Sequence, residues 1–272
     1  MGGGAAVIVD YHMHLRNARG GIDHTAAAVE PFVARARERG VDEIGFTEHV
    51  YYFEQTKDFW PWPYYAERCH FDLDRYVGAL VEAKGRGLPV KIGLEVDWAF
   101  DRADELAALL APYPWDFLLG SVHMVGDHAI DNGAGLGIWA ELPGDEVWRR
   151  YVEMLSAAAR SGHFDVLSHP DLAKIYGVRG SDERYRELAA AVEESGVALE
   201  ISTAGLRKPV AELYPDARLL AMSSAPVTLA SDAHEPMLVG EGFDEAVALA
   251  CANGRETVSV FDMRVRRQEP IG

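Results

Sequence analysis

Residues 9–15 read VDYHMHL, a short apolar run that ends in two histidines one residue apart. Imidazole fills a hydrophobic core poorly. His12 and His14 are therefore either incidental polar groups at a strand end or part of a ligand set, and a single His-x-His does not decide between the two. The rest of the chain repeats the arrangement. AVIVDYH (6–12), EIGFTEH (43–49), VKIGLEV (90–96), DFLLGSVH (116–123), FDVLSH (164–169), VALEIS (197–202) and PVTLASD (226–232) are continuous apolar runs, as expected for parallel strands buried on both faces. Helical patterns lie between them, near 25–39, 72–86, 101–110, 144–161, 181–195 and 241–253. Asp72, Asp101 and Ser181-Asp182 stand where N-caps belong, and Gly40, Gly87, Gly162, Gly196 and Gly254 where helices end. This strand–helix–glycine rhythm gives about seven βα units, with TVSVF (257–261) as a possible last strand.

The polar residues choose between a closed barrel and an open doubly wound sheet. His12 and His14, Glu48-His49, Glu95, His123, His169 and Asp232-Ala233-His234 stand at the C-terminal ends of successive strands, and Glu200 lies within the sixth. In an α/β barrel those ends converge on one rim, whereas an open sheet gathers its site at a single switch point. The expected fold is therefore an α/β barrel. Imidazole and carboxylate are the donor types for zinc, iron or manganese, and this many exceed one four-coordinate site.

The bulk composition narrows the function. The 272 residues carry 43 acidic against 26 basic side chains, a formal charge of −17, and such a surface counts against a long nucleic acid partner. Cys69 and Cys251 form no CxxC pair and read as reduced thiols. No run reaches the ~18 apolar residues of a membrane span, and the glycine-rich start lacks secretory character. A cytoplasmic location is expected, while the oligomeric state is not legible. A single domain over 1–272 is expected, with its core at about 7–261. The aromatic stretch VYYFEQTKDFWPWPYYAERCHF (50–71) reads as a lid-like insertion over the rim, or as an aromatic cluster packed beside it.

HMH (12–14), TEH (47–49), GLEVD (93–97), SVH (121–123), SHPD (168–171) and SDAH (231–234) occur in an order that resembles the polymerase and histidinol phosphatase (PHP) superfamily. STAGLRKPVAELYP (202–215) is similar to its histidinol-phosphatase branch. The resemblance implies a distorted (β/α)7 barrel of TIM-like type with a metal centre of two to three zinc, iron or manganese ions. By motif, His12, His14, Glu95 and Asp232 would hold one ion, and Glu95, His123 and His169 a second. His49, His234 and His24 would hold a third, with Asp23 as the substitute for His24. The implied activity is hydrolysis of a small phosphate monoester by a metal-bridging hydroxide. L-histidinol phosphate, an intermediate of histidine biosynthesis, is the leading substrate and inorganic phosphate the product. Glu95, Asp232 and His234 would be catalytic, with Asp232 or His234 protonating the leaving group. Arg207 and Lys208 would anchor the phosphate, with Lys174 as the second choice. Glu200 would orient a ligand imidazole or receive the substrate ammonium. The alternatives are a PHP phosphoesterase acting on nucleotides or cyclic phosphodiesters, and a metal-dependent amidohydrolase.

Overall fold

The structure, a computed structural model, describes residues 6–16, 21–133 and 135–272. Seven parallel strands lie side by side in chain order: β1 (Val9–Asp10), β2 (Glu43–Phe46), β3 (Val90–Asp97), β4 (Phe117–Ser121), β5 (Val166–Leu167), β6 (Ala198–Ser202) and β7 (Val227–Ala230). The first and last strands come together and nearly close the sheet. The Tyr11 N–H donates to the Leu229 carbonyl at 3.0 Å, His14 N–H to Ala233 O at 2.8 Å, and Ala233 N–H to His12 O at 3.2 Å. The expected barrel is the fold observed.

The interior of the barrel is closely packed. Tyr11 stacks on Phe117 at 5.0 Å between ring centroids, and Phe261 lies 5.7 Å from Phe117. Gly45 and Gly93 make room for this plug, since a Cβ on either would lie 2.6–2.7 Å from Phe117 Cζ.

Each strand feeds a helix on the outside: α1 (Ala26–Glu38), α2 (Leu73–Gly85), α3 (Ala103–Leu110), α4 (Gly144–Arg160), α5 (Asp182–Ser195), α6 (Ala217–Met222) and α7 (Phe243–Ala252). Asp72 and Ser181 cap α2 and α5 through their side chains, as expected. Asp101 does not cap α3; it lies in a 3₁₀ turn, Phe100–Arg102, that precedes the helix. The five glycines at the helix ends all have φ between 68° and 80°. TVSVF is not a barrel strand. It belongs to β8 (Thr257–Asp262), which pairs antiparallel with β9 (Val265–Pro270). This hairpin lies across the N-terminal ends of the strands, where Arg264 N–H donates to Asp116 O and Val7 N–H to Pro270 O. The opposite, C-terminal rim is left for the site.

Residues 50–71 form a wall along that rim. Tyr51, Tyr52, Phe53, Trp60, Trp62 and Tyr65 are buried, and Phe53 pairs with Phe71 across the base of the segment. Both cysteines are free thiols, and among the described residues no helix is long and apolar enough to cross a membrane.

Candidate metal centre

The strand ends bring most of the expected donors to one point. Glu95, near the end of β3 and fully buried, is the hub. Its Oε2 lies 2.6 Å from His49 Nδ1 and 3.4 Å from His12 Nε2, and its Oε1 lies 3.0 Å from His169 Nε2 and 3.4 Å from His123 Nε2. Asp232 Oδ1 lies 3.3 Å from His14 Nε2, 3.7 Å from His12 Nε2 and 3.4 Å from His234 Nδ1. Among the described residues, four sets have donor atoms within 4.8 Å of one another. They are His12–His14–Asp232, His12–Glu95–His169, His49–Glu95–His123 and His14–His49–His234.

Two of the candidate donor residues hold backbone conformations that side chains disfavour. His169 has φ +25° and Asp232 has φ +50°, strain that the surrounding strands must hold in place and that turns both side chains inward.

The backs of the imidazoles are fixed by carboxylates. His12 Nδ1–H donates to Glu200 Oε2 at 2.8 Å, and His123 Nδ1–H to Asp97 Oδ1 at 2.9 Å. Each bond leaves the opposite nitrogen free to face the centre. Glu200 is wholly buried and also accepts the His169 N–H at 3.1 Å, so its carboxylate holds two of the candidate donor residues and does not reach the cavity surface. Substituting Glu200 by Gln should lower metal affinity or activity about 10- to 100-fold. Titration of the metal-free protein with zinc checks this; an unchanged affinity and rate would remove Glu200 from the orienting role.

The electrostatics fit a cation at the centre. Burial works against a charge on His12, yet Glu200, Glu95 and Asp232 outweigh it and hold the imidazole well above its ordinary pKa. His123 is likewise buried, and Asp97 with Glu95 pushes it up to about 10. His234, buried and beside His14, is pulled down to about 3. Burial would raise Glu95 and Asp232, but the surrounding imidazoles keep both carboxyls well below their usual range. His12 Nε2, His14 Nε2, His49 Nδ1 and Glu95 Oε2 are buried with no hydrogen-bond partner. Orphaned donors of this kind are costly unless something binds them. Histidine nitrogens and carboxylate oxygens are the ligand set of zinc, iron and manganese, so the residues present fit such ions.

The PHP domain family matches the sequence over residues 10–204. The chain belongs to the PHP domain family. A relative in Deinococcus radiodurans named "Probable histidinol-phosphatase" is 32% identical over 254 residues, 91% of this chain and 94% of the relative. The histidinol-phosphatase of Lactococcus lactis is 25% identical over 246 residues, 83% of this chain and 84% of that one. Among solved structures, a histidinol phosphate phosphatase from Lactococcus lactis in complex with zinc, L-histidinol and phosphate superposes with a TM-score of 0.74. It shares 21% identity and covers 95% of this chain and 98% of its own. As a PHP protein, the chain carries its candidate metal clusters on the C-terminal rim of the barrel.

Eight of the nine expected donors meet there, and His24 does not. Its ring is enclosed by Phe53, Phe71 and Tyr76, and its Nε2 faces Glu48 Oε1 at 3.6 Å. Glu48 stands between the two histidines, 3.4 Å from His14 Nδ1, and its Oε1 accepts the Leu15 N–H at 2.6 Å. Burial would raise the Glu48 pKa, but His14 and His24 hold it well below the usual range. Glu48 is thus a buried anion behind the ring, a role that its place beside His49 did not reveal. Asp23, the substitute for His24, belongs to none of the four donor sets.

The expected phosphate cations separate. Lys174 does not reach the cavity. It is fully buried, donates to Leu213 O at 2.7 Å and pairs with Asp171 at 3.1 Å. Arg207 turns back to the Ser231 carbonyl at 2.5 Å and to Glu241 at 3.5 Å, bracing the residue before Asp232. Lys208 does line the cavity above the ring, and so does Arg16, which the sequence reading passed over although it follows His14 by two residues. Arg16 Nη2 donates to the Tyr52 hydroxyl at 2.5 Å. The tyrosine wall builds directly on a ring member: Tyr51 stacks on His49 at 4.9 Å, and Tyr65 on Tyr51 at 3.9 Å. Of the remaining histidines, His128 pairs with Glu141 and His163 with Asp104, and His70 is exposed.

Proposed function

We propose that the chain is a metal-dependent phosphatase that hydrolyses L-histidinol phosphate to L-histidinol and phosphate, a step of histidine biosynthesis. The observation that carries this reading is the convergence of six imidazole side chains on Glu95 and Asp232, in a chain 32% identical to a relative of that name. Two to three divalent ions, of zinc, iron or manganese, would supply an activated water and offset the charge of the phosphoryl oxygens.

The chain's own residues supply the rest. Glu95 joins the His12–His14–Asp232 half to the His123–His169 half, and His49 and His234 extend the ring on the side of Tyr51. Arg16 and Lys208 reach the same cavity and add positive charge beyond the ring for phosphate oxygens. Asp232 and His234 line the cavity 3.4 Å apart, and either, held without a proton of its own, would pass one from the attacking water to the leaving alkoxide. The buried tyrosines limit water on one side of the ring and give the organic part of a substrate a flat surface.

The test is a panel. Protein stripped of metal and reloaded with zinc, iron or manganese is offered L-histidinol phosphate, generic monoesters, nucleotides, cyclic diesters and amides. Phosphate release should be fastest from L-histidinol phosphate and should vanish on chelation. Turnover of diesters or amides without monoester hydrolysis would overturn the reading.

A further inference from the structure

Three acidic residues line the cavity over the donor ring: Glu95, Asp232 and Asp131. Glu95 and Asp232 belong to the ring, and Asp131 does not. Asp131 is exposed and lines the cavity, and its carboxylate makes no hydrogen bond or ion pair with any described residue. The position is nonetheless fixed by the backbone. The Tyr176 hydroxyl donates to the Asp131 carbonyl and itself receives the Gly133 N–H at 2.6 Å, while Ile130 N–H is held by His123 O at 2.8 Å.

A free carboxylate here needs a reason. Arg16 and Lys208 line the same cavity, and together with the ring they suit an anion. A like charge facing a phosphate weakens its binding unless the substrate brings a cation of its own. Glu200, the other acid considered for that cation, is sealed behind His12 and His169.

We propose that Asp131 is a specificity residue that receives a primary ammonium carried by the organic part of the phosphate monoester. The cavity then reads its substrate at two points, phosphate at the ring and ammonium at the rim. This inference rests on the reading of the site as a phosphatase of amino-alkyl phosphates, and it assigns the amino group to one side chain.

The experiment compares two substrates in one enzyme: L-histidinol phosphate and the imidazolylpropyl phosphate that lacks only the amino group. The wild-type protein should prefer the aminated ester in kcat/KM, and Asp131→Asn should reduce that preference about 10- to 100-fold, the range of a lost charge-assisted contact. Because the preference is a ratio, it does not depend on the fraction of variant that folds or binds metal. Asp131→Ala should reduce it as well, since it too removes the charge. A preference left within twofold by both variants would overturn the assignment while leaving the phosphatase reading intact. No phosphate release from either ester by the wild-type protein would overturn both.

Discussion

Replacing Glu95 with glutamine should lower kcat/KM at least ~10³-fold and release bound metal, because one side chain serves both halves of the ring. Its two oxygens lie within 3.4 Å of nitrogens from His12, His49, His123 and His169. Glutamine keeps the shape and the hydrogen bond with Ser121, whose hydroxyl donates to Oε1 at 2.9 Å. The substitution therefore changes the charge and leaves the packing in place. The charge matters because the surrounding imidazoles hold the Glu95 carboxyl ionised against the burial that opposes it. Without it, the nitrogens that converge on the hub lose their central anion, and an ion bound there would lose the one carboxylate that, among the described residues, reaches both sets. Phosphate release, elemental analysis and far-UV circular dichroism test this together. A folded variant with full metal content and activity within about tenfold of the parent would show that Glu95 is not the hub.

The outcome at Glu95 was legible in the sequence because chemistry and position coincided. A carboxylate near the end of an eight-residue buried strand is costly against the helix layer, and the donors at the neighbouring strand ends gave it partners on the rim. His12, His49, His123, His169 and Asp232 were legible in the same way, each at the end of an apolar run. What was not legible follows from geometry that no local pattern encodes. The runs overstate the strands: 6–12 yields only Val9–Asp10, and 164–169 only Val166–Leu167. The donor residues leave the ladder to turn inward, which is the strain seen at His169 and Asp232.

Lys174 looked like a rim cation from its distance to SHPD, yet the turn Leu172–Lys174 directs it into the interior toward Asp171. The first strand of the hairpin showed as TVSVF, but the turn and β9 gave no signal, because the two turn residues, Met263 and Arg264, adopt positive φ without glycine or asparagine, and β9 is charged and largely exposed. Helix α6, with six residues capped by Asp216, is too short to show a period.

The segment STAGLRKPVAELYP carries the second large effect, and for a reason other than the one its cations suggest. After β6 the chain turns through Ala204–Arg207 and folds back on itself. Ser202 and Tyr214 exchange backbone hydrogen bonds at 2.6 and 3.0 Å, and Glu212 N–H donates to Gly205 O at 3.2 Å. The crossing is so close that a Cβ on Gly205 would lie 2.0 Å from the Glu212 carbonyl oxygen. That neighbour is backbone held by hydrogen bonds, so it cannot move aside cheaply. Gly205→Ala should therefore cost about 3 kcal/mol and lower Tm by roughly 6–10 °C. The same exchange at Gly78, exposed within α2 with nothing inside 4 Å of its would-be Cβ, should raise stability by about 0.5–1 kcal/mol. Paired thermal melts compare the two variants, and a Gly205→Ala protein as stable as the parent would refute the close crossing. The loop also carries Lys208 on the cavity wall and Arg207 against Ser231, next to Asp232. Loosening it should then weaken the phosphate side of the site along with the fold, so the glycine of this motif matters more than its arginine.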